Sequence, residues 1–165
     1  MSVRARGFTR LEEVEQIEIA SSTPLDAPGR LLALDLGARR VGVAICDELR
    51  ITTRPLPLIE RRSWKYLLRQ VATLVASYDV KGLVIGLPLR MDGDDNTASR
   101  EVREVARKFQ RSLALPIYLQ DERLTTVTAK EDLRSKGQEV AEIERSVDSE
   151  AAAIILRDFI TSKQS

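Results

Sequence analysis

Leu31-Leu-Ala-Leu-Asp-Leu-Gly-Ala-Arg-Arg-Val-Gly-Val-Ala-Ile45 consists of two apolar runs joined by a short turn. The first, Leu31 to Leu36, is interrupted by Asp35; the second spans Val41 to Ile45, and Gly37-Ala-Arg-Arg40 between them has the length and composition of a hairpin connection. A carboxylate inside an apolar strand is costly to bury unless it is paired or bound to a cation. Asp35 therefore requires a partner from elsewhere in the chain.

Working outward from the hairpin, Ile51 to Ile59 is a third extended segment whose two prolines confine it to an edge or to irregular ends. Trp64, Leu67, Leu68, Val71, Leu74 and Val75 recur at helical spacing over Ser63 to Ser77, with Ser63 placed to cap. Val80 to Leu87 reads as a buried strand, followed by the polar loop Arg90 to Asn96 and a helix from Thr97 to Leu113. Pro116 to Gln120 is a further strand, Thr125 to Lys136 a helix closed by Gly137, and Ser146 to Thr161 a last helix. Three meandering strands and two later strands alternating with helices predict an α/β fold: a mixed five-stranded sheet covered by helices on both faces.

On the N-terminal side, Ser21-Ser-Thr-Pro-Leu-Asp-Ala-Pro-Gly29 has turn and linker chemistry. Residues 1–29 therefore read as an N-terminal extension, flexible or peripheral, and 30–165 as the functional domain. Within the extension, Val14 to Ile19 fits a short strand, while Phe8, Leu11 and Val14 also fit one helical face.

The 165 residues suffice for one domain with a core. Twenty-six basic and 25 acidic residues give a net charge of +1, so any surface for nucleic acid must be local. The complete lack of histidine excludes Ser-His and Cys-His nucleophile systems and the usual zinc sites. Carboxylates, lysines or a metal-activated water remain as the routes to catalysis. Cys46 is the single cysteine, which excludes an internal disulfide and fits a reducing compartment, with the cytoplasm as the expectation. No stretch approaches the roughly 20 apolar residues of a membrane span.

Two further carboxylates stand where a site could form: Glu122 in Asp121-Glu-Arg123, at the end of the fifth strand, and Asp148 before the apolar helix segment Ala151-Ala-Ala-Ile-Ile-Leu156. Taken singly, each has a structural explanation: a strand terminus for Asp35, an ion pair with Arg123 for Glu122, a helix N-terminus for Asp148. Taken in order, a first-strand carboxylate, a later strand-end carboxylate and one on a packed helix match the requirements of a two-metal site. Asp121 and Asp47 are the candidates for a fourth carboxylate.

Leu34-Asp-Leu-Gly-Ala-Arg-Arg-Val-Gly-Val-Ala44, Gly86-Leu-Pro88 with Met91-Asp-Gly93, Asp121-Glu-Arg-Leu-Thr-Thr126 and Val147-Asp-Ser-Glu-Ala-Ala152 together resemble the YqgF or RuvX family. The resemblance spans about Leu31 to Ile160 and implies an RNase H-like fold and a nuclease of pre-16S rRNA or of Holliday junctions. It implies Asp35, Glu122 and Asp148 as catalytic, metal-holding residues for Mg²⁺ or Mn²⁺, two ions in number. One departure is Cys46, where the family pattern has serine before Asp47; we read Cys46 as a buried small residue.

For the nucleic acid, Arg40 and Arg123 flank candidate metal ligands, and Thr125 belongs to the same motif as Glu122. Gly86 and Pro88 border a polar loop, and Asn96 or Thr97 could cap a helix whose N-terminus would favour phosphate. Arg103 and Arg107, in line with Arg100 and Arg111, could follow a phosphate backbone, as could Arg61, Lys65 and Arg69; a solvated helix face explains both lines equally well. Aromatic residues make up 4% of the chain, so recognition by backbone shape is favoured over base stacking. The expected partner is structured pre-rRNA or branched DNA, with a homodimer expected for a junction resolvase, and no membrane. Actin-like ATPases and sugar kinases share an Asp-Leu-Gly strand but need a second half for which this chain has no room. A non-catalytic nucleic-acid-binding module is the other alternative, disfavoured by the retention of all three carboxylates.

Overall fold

The computed structural model describes residues 14–16, 27–123 and 140–164, with side-chain detail over 27–123 and 149–163. The elements are β1 (Val14–Gln16), β2 (Arg30–Leu36), β3 (Arg40–Cys46), β4 (Thr53–Glu60), α1 (Trp64–Tyr78), β5 (Val80–Leu87), α2 (Thr97–Ser112), β6 (Ile117–Asp121) and α3 (Val140–Gln164). The sheet order is β1-β6-β5-β2-β3-β4, with β2, β5 and β6 mutually parallel and β1, β3 and β4 antiparallel to their neighbours. The expected five-stranded mixed sheet is present, and a three-residue strand from the N-terminal extension adds a sixth at the β6 edge. The strand alternative for Val14 is thus the one adopted. The helix expected over Thr125 to Lys136 lies outside the described residues.

Alternation along the strands sorts the core into two layers. Leu32, Leu34, Val43, Leu83, Ile85, Ile117 and Leu119 face α1 and α2, whose Leu67, Val71, Val102, Ala106 and Phe109 complete that side. Leu31, Ala33, Ala44, Val84 and Tyr118 face the other way, against Ala152, Ile155, Leu156 and Phe159 of α3. Three consecutive buried alanines, Ala151 to Ala153, allow α3 to lie close to the strands, and it contacts β2, β3, β4, β5 and β6.

Local chemistry explains the element ends. Ser63 accepts the Tyr66 amide at 3.1 Å and caps α1, a bond typically worth about 1 kcal/mol. Asn96 and Ser99 form a reciprocal capping box on α2, both bonds at 2.8 Å. Pro55 and Pro57 are accommodated because β4 pairs on one side only, with β3. Helix α3 begins at Val140, earlier than the apolar pattern indicates.

Candidate active site

The parallel strands β2, β5 and β6 all end at the same side of the sheet, and β2 and β6 lead directly into the carboxylates. Asp35 lies one residue before the end of β2, opposite Gly42 of β3. It shares the parity of Leu31 and Ala33, so it stands on the α3 face. The β2–β3 turn behind it is closed by the Gly37 amide on the Arg40 carbonyl at 2.9 Å. Arg61 braces that turn, donating to the Gly37 carbonyl at 2.8 Å while pairing with Glu101 at 3.0 Å.

Glu122 immediately follows β6, and its amide donates to the Leu87 carbonyl at 3.1 Å, fixing the residue against the end of β5. Its side chain folds back over Gly86. A Cβ built on Gly86 would stand 2.6 Å from Glu122 Oε2 and 2.6 Å from Ile155 Cδ1. The carboxyl thus occupies the space that a side chain at position 86 would fill, between sheet and helix. Oε2 is fully buried and has no hydrogen-bond partner among the described residues.

Burial is the main reason that the Glu122 carboxyl is pushed up to about 9; the Asp35 charge, a hydrogen bond with the Asp35 side chain and the Asp121 charge act in the same direction. Two carboxyls are thus held together in a setting that disfavours two negative charges. A hard divalent cation relieves that repulsion and gives the orphaned oxygen a partner, so these donors fit Mg²⁺ or Mn²⁺. No cluster of three or more potential metal ligands occurs among the described residues. Asp148 lies on α3, adjacent to Ser149, whose hydroxyl donates to the Leu56 carbonyl at 2.9 Å; the side chain of Asp148 is outside the described residues.

Gln120 is a residue the sequence reading passed over. Its register partner in β5 is Gly86, placing it on the same face beside the Glu122 carboxyl, and its buried Oε1 is also without a partner among the described residues. An amide inside the apolar run Pro116 to Gln120 is the signal that could have marked it, as Asp35 was marked in β2. An open cleft of about 590 Å³ adjoins this edge, lined in part by Met91, Gln120, Asp121, Arg123, Asp158 and Ser162.

The other candidates divide. Arg123 grips Asp121 at 2.6 Å and donates to the Met91 carbonyl at 3.0 Å, fastening the polar loop to β6. Asp121 is thus committed to an ion pair. Asp47 follows β3 at the opposite end of the sheet, where its carboxylate accepts the Ile51 and Thr52 amides at 2.7 and 2.9 Å, so it is not a fourth ligand. Arg40 opens β3 at the carboxylate end. Gly86 is buried within β5, where the absence of a side chain leaves the space that the Glu122 carboxyl occupies. Pro88 lies just beyond β5, where its carbonyl accepts the Asn96 side chain at 3.0 Å.

Arg103 and Arg107 lie on α2, which covers the sheet face opposite the carboxyls. They pair with Asp95 at 3.2 Å and Glu104 at 3.1 Å. The α2 N-terminus, expected to suit phosphate, is served by the protein's own Asn96 and Ser99, with Asp95 accepting the Ser99 hydroxyl at 2.9 Å. Burial opposes the charge on Asp95, but the Ser99 hydroxyl and the Arg103 guanidinium outweigh it and hold the carboxyl below its usual value. Thr125 lies outside the described residues. Cys46 is buried as expected, its sulfur accepting the Leu31 amide at 3.2 Å. No helix among the described residues is long and apolar enough to cross a membrane.

A family model described as "RuvX: Holliday junction resolvase" matches residues 29–162. A Syntrophus aciditrophicus protein named "Putative pre-16S rRNA nuclease" is 40% identical over 131 residues, covering 79% of this chain and 87% of its own. One of the same name from Roseiflexus sp. is 39% identical over 140 residues, covering 83% of this chain and 97% of its own. Among solved structures, "T. thermophilus RuvC in complex with Holliday junction substrate" superposes with a TM-score of 0.50 at 14% identity, covering 82% of this chain and 96% of that one, which shows a shared RNase H-like fold.

Proposed function

This chain belongs to the RuvX family, and on that premise we propose that it is a divalent-metal-dependent endonuclease of structured nucleic acid, processing the 5′ end of pre-16S rRNA in the cytoplasm. The observation that carries this reading is the Asp35–Glu122 pair, with a buried carboxylate oxygen that has no partner among the described residues.

Asp35 and Glu122 would hold the metal, joined by Asp148 as the resemblance implies. When bound, Mg²⁺ or Mn²⁺ would supply activation of a water and neutralisation of charge at the scissile phosphate. Glu122, whose carboxyl burial pushes up to about 9, would have to give up its proton to hold a cation, and Gly86 and Ile155 bound the space that the carboxyl occupies. Hydrolysis then forms a bond from the water oxygen to phosphorus and breaks one bridging P–O bond. Arg123 and the loop it holds border the cleft beside Glu122, where the backbone of a bound strand would pass. The family description favours one second reading, resolution of four-way DNA junctions, which would require a homodimer to cut two strands symmetrically.

The test is cleavage of end-labelled pre-16S rRNA 5′ fragments and of four-way DNA junctions in Mg²⁺ or Mn²⁺, comparing the native chain with Asp35→Asn, Glu122→Gln and Asp148→Asn. RNA cleavage that each variant loses by at least about a hundredfold supports the processing nuclease. Symmetric junction nicking moves the assignment to a resolvase. Equal inactivity of all four chains with intact RNA binding leaves a binding module.

A further inference from the structure

Three residues of adjacent parallel strands lie level with one another on the α3 face. Gln120 of β6 is the register partner of Gly86 of β5, and continuing the β2–β5 register one residue past Leu34 and Ile85 sets Asp35 level with Gly86. The middle position of this row has no side chain of its own. The Glu122 carboxyl fills it, with Oε2 2.6 Å from where a Gly86 Cβ would stand. Glu122 is therefore flanked on both sides along the row, by Asp35 on β2 and by Gln120 on β6.

The two flanks differ chemically. Toward β2, the Asp35 and Glu122 carboxyls share a hydrogen bond. Toward β6, Glu122 Oε2 and Gln120 Oε1 are both fully buried, and neither has a hydrogen-bond partner among the described residues. Gln120 as a whole is 3% exposed. A buried acceptor without a donor is destabilising, so packing alone would favour an apolar side chain at this position. Two such acceptors at neighbouring places point to one electron-poor guest that both can bind. A hard divalent cation takes about six oxygen ligands, drawn from carboxylates, amide carbonyls and water. Among the described residues no third histidine, cysteine or carboxylate forms a cluster with Asp35 and Glu122, and the Gln120 amide is the next oxygen donor in the row. Gln120 also borders the open cleft beside Asp121 and Arg123, which gives the guest a way in.

We propose that Gln120 is a further ligand of the cation site, its side-chain Oε1 supplying a neutral oxygen beside Glu122 Oε2. The inference rests on the metal-dependent reading above and extends its ligand set beyond the carboxylates. A neutral donor completes more of the cation's shell without adding a negative charge to a pair that already repels.

The test is Mn²⁺ binding to the full chain at about pH 8, where the carboxylates can load, read by titration calorimetry and by water-proton relaxation of the bound ion. The native chain is compared with Gln120→Met, Gln120→Glu and Glu122→Gln, and the cation-free Tm of each is measured. Methionine keeps the length of the side chain and removes both polar atoms. It should weaken Mn²⁺ binding at least about tenfold. It should also raise the relaxivity of the bound ion, because a water takes the vacated position, and leave the cation-free Tm at or above native, because an orphaned acceptor is gone. Gln120→Glu keeps an oxygen in place and should bind Mn²⁺ at least as tightly as the native chain. Native affinity in Gln120→Met, with binding lost in Glu122→Gln, overturns the Gln120 assignment and leaves the carboxylate site standing. A lower cation-free Tm with unchanged affinity and relaxivity also overturns it, since the amide then serves the fold, as it would by donating Nε2 to Glu122. A native chain that binds no Mn²⁺ sinks both readings. Should Gln120→Met fail to fold, Gln120→Glu decides alone: affinity at or above native supports the assignment, and affinity below native overturns it.

Discussion

Gly86 and Glu122 share one site: the hydrogen of Gly86 leaves the volume in which the Glu122 carboxyl lies, with Oε2 only 2.6 Å from where a Cβ would stand. Both neighbours of that Cβ are constrained, Glu122 by the hydrogen bond its amide donates to the Leu87 carbonyl and Ile155 by the α3 core layer. Gly86→Ala should therefore displace the carboxyl or push α3 away, destabilising the fold by about 1–3 kcal/mol. Thermal unfolding reads the destabilisation, and loss of Mn²⁺-induced stabilisation reads displacement of the Glu122 carboxyl. A variant with native melting temperature and native metal response would show that the carboxyl can move without consequence.

Arg123 contacts Asp121 through its backbone amide, Nε and Nη2 and reaches the Met91 carbonyl through Nη1. Only a planar guanidinium can make the side-chain contacts together, so Arg123→Lys should behave much like Arg123→Ala. Both should loosen the 90–94 loop and lower cleavage about tenfold or more at saturating metal. Proteolysis at that loop, compared between the three chains, checks the structural half. Full rescue by lysine would reduce Arg123 to a point charge.

The parts of this architecture that show in the sequence are those encoded locally. The β2–β3 hairpin and α1 declare themselves through contiguous apolar spacing and a cap residue, and Asp35 stands out because its neighbours along the chain are apolar. Gly86 and Gln120 do not, because their meaning comes from a cross-strand register that joins positions 34 residues apart. The spacing of Arg103 fits a phosphate-following line and a solvated helix face alike, and its partner Asp95, eight residues earlier, lies in a loop whose path the sequence does not specify. The early start of α3 at Val140 was hidden because Ala-Glu-Ile-Glu-Arg, good helix formers, carry little apolar periodicity to announce a packed face.

Ser149 ties α3 to β4 through its bond to the Leu56 carbonyl, in a buried setting next to Asp148. Ser149→Ala should cost about 1–2 kcal/mol, since the carbonyl loses its donor without gaining water. That corresponds to a fall in Tm of roughly 2–8 °C for a chain of this size. If Asp148 serves the cation as proposed, the same variant should also show a weaker metal response. An unchanged Tm would mean that another donor reaches Leu56.

Burial pushes the Cys46 thiol up from its ordinary value, and the residue is 2% exposed. A buried thiol is a poor nucleophile, so the native chain should react with a disulfide reagent at pH 8 at least about a hundredfold more slowly than the unfolded chain. One thiol per chain should then titrate in denaturant. Rapid native labelling would contradict the packing of β3 against α3.

The Glu122 carboxyl sets the pH dependence. Folded and without cation it is held near 9, whereas unfolded it returns to about 4.5, so between these values the folded chain keeps a proton that the unfolded chain releases. Its contribution to stability is complete below about 4.5 and is lost as pH rises toward 9. Cation binding must displace that proton, so metal affinity should climb with pH, by up to tenfold per unit below 9. Melting curves from pH 5 to 9, with and without Mg²⁺ or Mn²⁺, should therefore show metal-induced stabilisation growing with pH. Glu122→Gln keeps the shape and removes the titration: without metal its Tm should exceed native at pH 8, and its metal response should be largely abolished. A native chain whose metal response is flat across this range would mean that Glu122 does not meet the cation.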